Sequence, residues 1–144
     1  MIYTNSDGGA RGNPGPGAIG VIVRQGEKIL TKYNGTVGRR VTNNVAEYEG
    51  LIKALQLASK FTDKEVTCIV DSELIVKQLL GEYRVKNKRL LELFRKVQQL
   101  QERFEKIAYK HAPREDKYQK IVDGMLNEVL DREFPHTYKK NRYK

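Results

Sequence analysis

Cysteine is all but missing from this sequence: there is one in 144 residues, Cys68, inside the apolar run Val66–Val70. No disulfide framework can form within the chain, and a lone Cys in such a run reads as the buried free thiol of an intracellular protein. The two histidines form no cluster with it, which removes the ligand set of a structural zinc. Long apolar runs are missing too. No segment approaches the roughly 18 uncharged apolar residues of a membrane span. The start, Met1-Ile2-Tyr3-Thr4-Asn5, has no basic region leading into an apolar one. The expectation is a cytoplasmic protein with no membrane partner. Repeats and linker-like stretches are absent, so one domain is expected, long enough to bury a core without staples. Acids are the scarcer charge, 18 Asp and Glu against 27 Lys and Arg, for a net +9. That balance favours a polyanionic partner.

What is present is an alternation of apolar patterns. Ile2–Ser6, Ala18–Arg24 and Ile29–Val37 read as strands, the last two joined by a turn at Gln25-Gly26-Glu27-Lys28. From Asn44 the period becomes helical through Tyr48, Leu51, Ile52, Leu55 and Ala58, and Lys60–Lys64 closes that helix before a fourth strand, Val66–Val70. Ser72 can cap a second helix with Leu74, Ile75, Leu79 and Leu80 as its apolar face and Gly81 as its stop. A third helix is predicted from about Lys88 to Glu105, striped by Leu90, Phe94, Val97, Leu100 or Gln101, and Phe104. A fifth strand follows at Lys106–Lys110. The last helix runs from about Asp116 to Arg132 on Ile121, Val122, Met125, Leu126, Val129 and Leu130. The order β-β-β-α-β-α-α-β-α implies an α/β fold with a mixed five-stranded sheet, strands 1 to 3 antiparallel and strands 4 and 5 added in parallel after helical crossovers. Residues 1–134 form the expected domain, and 135–144 a basic tail with Lys139, Lys140, Arg142 and Lys144.

Four acids stand where apolar elements meet turn chemistry: Asp7, Glu47, Asp71 and Asp123, spaced 40, 24 and 52 residues apart. With the first strand central, the ends of strands 1 and 4 become neighbours and carry Asp7 and Asp71 to one crevice. Glu47, near the start of the first helix, and Asp123, near the start of the last, can reach the same place. Clustered carboxylates raise each other's pKa values, so they stay ionised together only beside cations. An all-oxygen set without Cys or His selects Mg²⁺ or Mn²⁺ over Zn²⁺. Two such ions about 4 Å apart suit phosphodiester hydrolysis.

These residues fall in four motifs: Asp7-Gly8-Gly9-Ala10-Arg11-Gly12-Asn13-Pro14-Gly15, Thr42-Asn43-Asn44-Val45-Ala46-Glu47, Val70-Asp71-Ser72, and His111-Ala112-Pro113-Arg114-Glu115 followed by Asp123. In order and spacing, over residues 1 to about 131, they resemble type 1 ribonuclease H. The resemblance implies the ribonuclease H-like fold and an endonuclease that cuts the RNA strand of RNA/DNA hybrids with two Mg²⁺, Mn²⁺ substituting, to leave 5′-phosphate and 3′-hydroxyl ends. Carried over, Asp7, Glu47, Asp71 and Asp123 are the metal ligands. His111 assists product release or proton transfer, with Arg114 as its rival. Asn13, Asn43 and Asn44 lie near the minor groove, where amides can read the 2′-hydroxyl that tells RNA from DNA. Gly8, Thr42 and Ser72 join them as substrate contacts.

Two departures from the family pattern bear on this. The stretch from Pro113 to Asp123 is about two residues longer than usual, with Lys117 where many members have Asn, so the fourth acid's register is open. Between Gly81 and the third helix only Glu82–Asn87 intervene, which assigns the chain to the members lacking the basic protrusion and its tryptophans. Tyr83, with Arg84, Lys86, Lys88 and Arg89, then offers a ring for a DNA sugar and cations for phosphates. A monomer is expected. Double-stranded RNA stands as a possible further substrate. Two other readings remain: a catalytically silent hybrid- or double-stranded-RNA-binding module, and a fold relative acting on DNA, such as a transposase core or junction resolvase.

Overall fold

The computed structural model describes residues 1–113 and 115–135; Arg114 and the expected basic tail beyond residue 135 lie outside them. Five strands, β1 (Ile2–Ala10), β2 (Gly15–Gln25), β3 (Lys28–Val41), β4 (Glu65–Val70) and β5 (Lys106–His111), form one sheet in the order β3-β2-β1-β4-β5. The pairs β1/β2 and β2/β3 are antiparallel, and β1/β4 and β4/β5 are parallel, as the pattern of elements predicts. Four helices stand beside the sheet among the described residues: α1 (Asn43–Ala58), α2 (Glu73–Leu79), α3 (Lys88–Gln101) and α4 (Lys117–Glu133).

Each helix starts at a side chain that accepts a backbone N–H which the first turn cannot otherwise satisfy. Thr42, Ser72, Asn87 and Asp116 do this for α1, α2, α3 and α4. Alternation along β1 then sorts the layers. Ile2 joins Tyr48, Leu51, Leu55, Val66, Cys68 and Val97 in the main core, under α1, α2 and α3. Asn5, on the opposite pleat, bonds Gln119 of α4. On that second face Ala18 packs with Leu126, Val129 and Leu130. Arg11, at the exit of β1, is latched to α4 by Asp131 at 2.6 Å and by the Asn127 Oδ1 at 3.0 Å.

The strands near the site are longer than the apolar pattern predicts. β1 does not stop at Ser6 but runs to Ala10, with Asp7, Gly8, Gly9 and Ala10 paired to Gly20, Ile19, Ala18 and Gly17 of β2. Glycine hides a strand from a reading based on side-chain burial, because the backbone ladder persists where the side chains vanish. At the hairpin between β1 and β2, Gly12 has the positive φ of a turn, +95°. Helix faces also differ in detail. In α2, Ile75 and Val76 are buried while Leu74 and Leu80 are exposed, Leu80 at 55%. Seven residues make barely two turns, too few for periodicity to decide which side faces inward. α3 ends at Gln101, not Glu105; its buried stripe includes Leu93, with Phe94 only half-buried, and Phe104 is buried in the turn that follows. In α4, Ile121 is exposed, and Tyr118 and Gln119 take its place inside.

Candidate metal centre

The sheet forks at Asp7. Parallel pairing of β1 with β4 ends at Ser6↔Val70, while β1 continues along β2. Pairing of β4 with β5 ends at the same level, Val70↔His111, where the Ala112 N–H donates to the Val70 carbonyl at 2.9 Å. Asp7 and Asp71 are therefore the residues that follow the last paired rung on two adjacent strands. Their side chains meet where backbone pairing has just been given up.

Glu47 arrives from α1, one turn beyond the residues that open that helix. The helix comes unusually close. A Cβ placed on Gly8 would lie 2.1 Å from the Ala46 carbonyl oxygen, and one on Gly50 would lie 3.1 Å from the Asp7 carbonyl. This approach lets the Gly8 N–H donate to Glu47 Oε1 at 3.3 Å. One carboxylate oxygen from each of Asp7, Glu47 and Asp71 then falls within 4.8 Å of the others. Asp123 approaches on α4 by a matching device, since a Cβ on Gly20, the strand partner of Asp7, would lie 2.3 Å from the Val122 carbonyl. Asp123 lines a cleft of about 290 Å³ with Asp7, Asp71, Pro113, Asp116, Gln119 and Lys120. Asp123 thus faces the cleft beside Asp7, outside the three acids whose oxygens converge within 4.8 Å.

Asp7 is 6% exposed. Its pKa is pushed up to about 7, mainly by burial, with Asp71 and Asp123 adding repulsion against a hydrogen bond from Glu47. Glu47 is raised well above the ordinary carboxyl range, again by burial first and then by Asp7. Two carboxyl groups held at this cost, all-oxygen and converging with a third, suit hard divalent cations, whose charge would replace the protons.

Beside the acids runs a groove of about 680 Å³ lined by Asn13, Arg40, Thr42, Asn43, Asn44, Asn87 and Arg89. The Asn43 N–H donates to Asn13 Oδ1 at 3.0 Å, and Asn43 Oδ1 accepts from the Ala10 N–H at 2.9 Å. Both carbonyl ends are committed internally, which leaves the amide NH₂ groups as donors for a ligand. Thr42 and Ser72 spend their hydroxyls as helix caps. His111 donates from Nε2 to the Asp71 carbonyl at 3.0 Å and so braces the backbone of an acid rather than joining the cluster. Tyr83 lies elsewhere, lining with Arg84, Leu91 and Phe94 a recess of about 490 Å³, and Lys77 rests over its ring at 5.0 Å. Sequence reasoning missed Gln119, Asp116, Arg40 and Asn87. The last two carry no motif, and nothing in a linear reading brings them to the groove.

A family model described as "Reverse transcriptase-like" matches residues 5–118. Among curated proteins the chain is 37% identical over 132 residues to the "Bifunctional protein Rv2228c" of Mycobacterium tuberculosis, covering 90% of this chain and 35% of that one. The chain therefore spans about a third of the length of this relative. The solved structure of ribonuclease H1 from the archaeon Halobacterium salinarum superposes with a TM-score of 0.84 at 34% identity, covering 91% of this chain and 98% of that one. LC11-RNase H1, solved in complex with an RNA/DNA hybrid, superposes at 0.84 with 40% identity, covering 92% and 99%.

Proposed function

This chain belongs to the type 1 ribonuclease H family, and from that membership we propose that it is an endoribonuclease hydrolysing the RNA strand of RNA/DNA hybrids, with 5′-phosphate and 3′-hydroxyl products. The observation that carries the reading is the meeting of Asp7, Glu47 and Asp71 within 4.8 Å at the fork of the sheet, beside a groove of amides and arginines. Asp7, Glu47 and Asp71 would hold divalent ions, with Asp123 completing the set. When bound, Mg²⁺ lowers the pKa of the attacking water and offsets charge on the scissile phosphate.

The chain's own residues supply the rest. Asn13, Asn43 and Asn44 present donors to the minor-groove side of the substrate, where the RNA strand shows its 2′-hydroxyls. Arg40 and Arg89 meet phosphates. Tyr83 offers a ring outside the groove for the DNA strand. His111 steadies Asp71 through its carbonyl. The reading includes a monomer acting in the cytoplasm, a catalytic unit within residues 1–134 and a tail, 135–144, that adds diffuse attraction to the polyanion. No helix among the described residues is long and apolar enough to cross a membrane.

One panel tests the proposal: end-labelled RNA/DNA, RNA/RNA and DNA/DNA duplexes with Mg²⁺, with Mn²⁺ and with chelator. Cleavage of the RNA strand of the hybrid alone, lost in chelator, is expected. Cutting of RNA/RNA would widen the substrate class, and cutting of DNA/DNA only would turn the assignment toward a DNA-processing relative. Hybrid binding should weaken steeply between 50 and 200 mM salt, because each neutralised phosphate releases counterion.

Gly8→Ala gives a separate expectation. The new methyl group meets the Ala46 carbonyl, so α1 must retreat and take Glu47 with it. A stability loss of about 1 to 3 kcal/mol is expected from overpacking. A displaced carboxylate should lower the cleavage rate by about 10²-fold. Thermal melting and single-turnover cleavage measure the two effects. An unchanged rate would mean that Glu47 is not held by this contact.

A further inference from the structure

Behind the acids lies a buried polar chain. Arg24 on β2, buried, is stacked between the rings of Tyr3 at 4.6 Å and Tyr118 at 4.1 Å. Its Nε donates to Asn5 Oδ1 at 2.8 Å, and its Nη1 to the Gly26 carbonyl at 2.8 Å. Asn5, fully buried, passes the connection on: its Nδ2 donates to Gln119 Oε1 at 3.0 Å. Gln119 Nε2 donates in turn to the Ser6 carbonyl at 3.1 Å. Asn5, Ser6 and Gln119 are each 6% exposed or less. Buried amides satisfied at both ends have one low-energy arrangement, because each broken bond leaves an unpaired polar group out of water.

The two ends of Gln119 grip one strand. Ser6 immediately precedes Asp7, and Gln119 precedes Asp123 by four residues, so the two α4 side chains lie on the same face of the helix. Asp116 Oδ1 fixes the backbone N–H of Gln119 at 2.9 Å as the helix cap. The approach of α4 to the fork is thereby set by a side chain of defined length, held at its base by a cap and at its tip by two bonds to β1.

We propose that Gln119 is a positioning residue that sets the separation between Asp123 and Asp7, with Asn5 and Arg24 as its rear anchor; this rests on the metal-ligand reading of those acids. Gln119 borders the cleft that the acids line and acts through the placement of α4. Loss of partners that orient metal ligands lowers metal affinity or activity by about 10- to 100-fold.

The test uses the full chain with Gln119→Met, which keeps volume and removes both bonds, and Gln119→Asn, which keeps a buried amide one methylene too short to reach both partners. Mn²⁺ binding is followed by electron paramagnetic resonance without substrate, and cleavage of an RNA/DNA hybrid is followed against Mg²⁺ concentration. In both variants the Mn²⁺ dissociation constant and the half-saturating Mg²⁺ should rise about 10-fold or more. The maximal rate should fall while the KM for hybrid stays within about 3-fold. Val97→Ala, a core change on α3 far from this chain of bonds, controls for lost stability. The proposal is overturned if the Gln119 variants lower the melting temperature as Val97→Ala does but leave the Mn²⁺ constant at its wild-type value. Should wild type leave hybrid uncut, the endonuclease reading fails, yet the Mn²⁺ comparison still decides whether Gln119 positions the acids.

Discussion

Asp7→Asn is expected to reduce Mg²⁺-dependent hybrid cleavage by at least about 10³-fold, equivalent to roughly 4 kcal/mol of transition-state stabilisation. Asp7 sits at the centre of the site, flanked by Asp71 on the neighbouring strand, Glu47 from α1 and Asp123 from α4. Asparagine keeps the shape and one carbonyl oxygen but removes the negative charge that would hold divalent ions. The loss should fall on the maximal rate. Hybrid affinity should stay within about 3-fold of wild type, because the groove at Asn13, Asn43, Asn44 and Arg89 is untouched. Single-turnover cleavage and equilibrium binding in parallel separate the two effects. Retention of the wild-type rate would place the ions elsewhere.

The same substitution is expected to stabilise the ion-free protein, and the sign follows from proton linkage. Asp7 titrates at 3.8 in the ordinary case and near 7 in the fold. Between those values the folded chain holds more protons than the unfolded one, so stability falls as pH rises. The stability is intact below pH about 4 and is lost as pH passes through 7. The gap is about three pKa units at roughly 1.4 kcal/mol each, or up to about 4 kcal/mol. In chelator at pH 8, Asp7→Asn should therefore melt higher than wild type by about 10 °C, given about 2 to 4 °C per kcal/mol at this size. At pH 4 the two should melt together. Added Mg²⁺ should raise wild type at pH 8 and leave Asp7→Asn nearly unmoved, since ions that bind only the folded state add stability by mass action. Coincident melting at pH 8 in chelator would show that Asp7 is not held against its charge.

Much of this arrangement can be read without coordinates. The change from strand to helical period at Asn44 matches the start of α1, and two acids following apolar runs forecast the meeting of Asp7 and Asp71. The limits lie where information is tertiary. Gly8, Gly20 and Gly50 look like turn or filler residues in sequence, yet each is the gap through which a helix backbone reaches the sheet. Gln119 looks like an ordinary polar helix residue, and only the folded register shows both its ends bonded to β1. Asp123 could not be fixed by counting, because a longer loop shifts every later position. The close packing of Val122 on Gly20 is what brings Asp123 to the cleft beside Asp7. Leu74 and Leu80 mislead for the opposite reason: in so short a helix, hydrophobicity without an extended period says little about orientation.

The fork in the sheet has a consequence for synthesis. Because β1 is shared by both halves of the sheet, a nascent chain can pair β1, β2 and β3 early and bring Asp7 beside Glu47 as soon as α1 emerges. Asp123 arrives only with α4, more than a hundred residues after Asp7 has left the ribosome. On the metal-ligand reading proposed above, the fourth carboxylate is thus delivered by α4, and the set of acids stays incomplete until that helix has been synthesised.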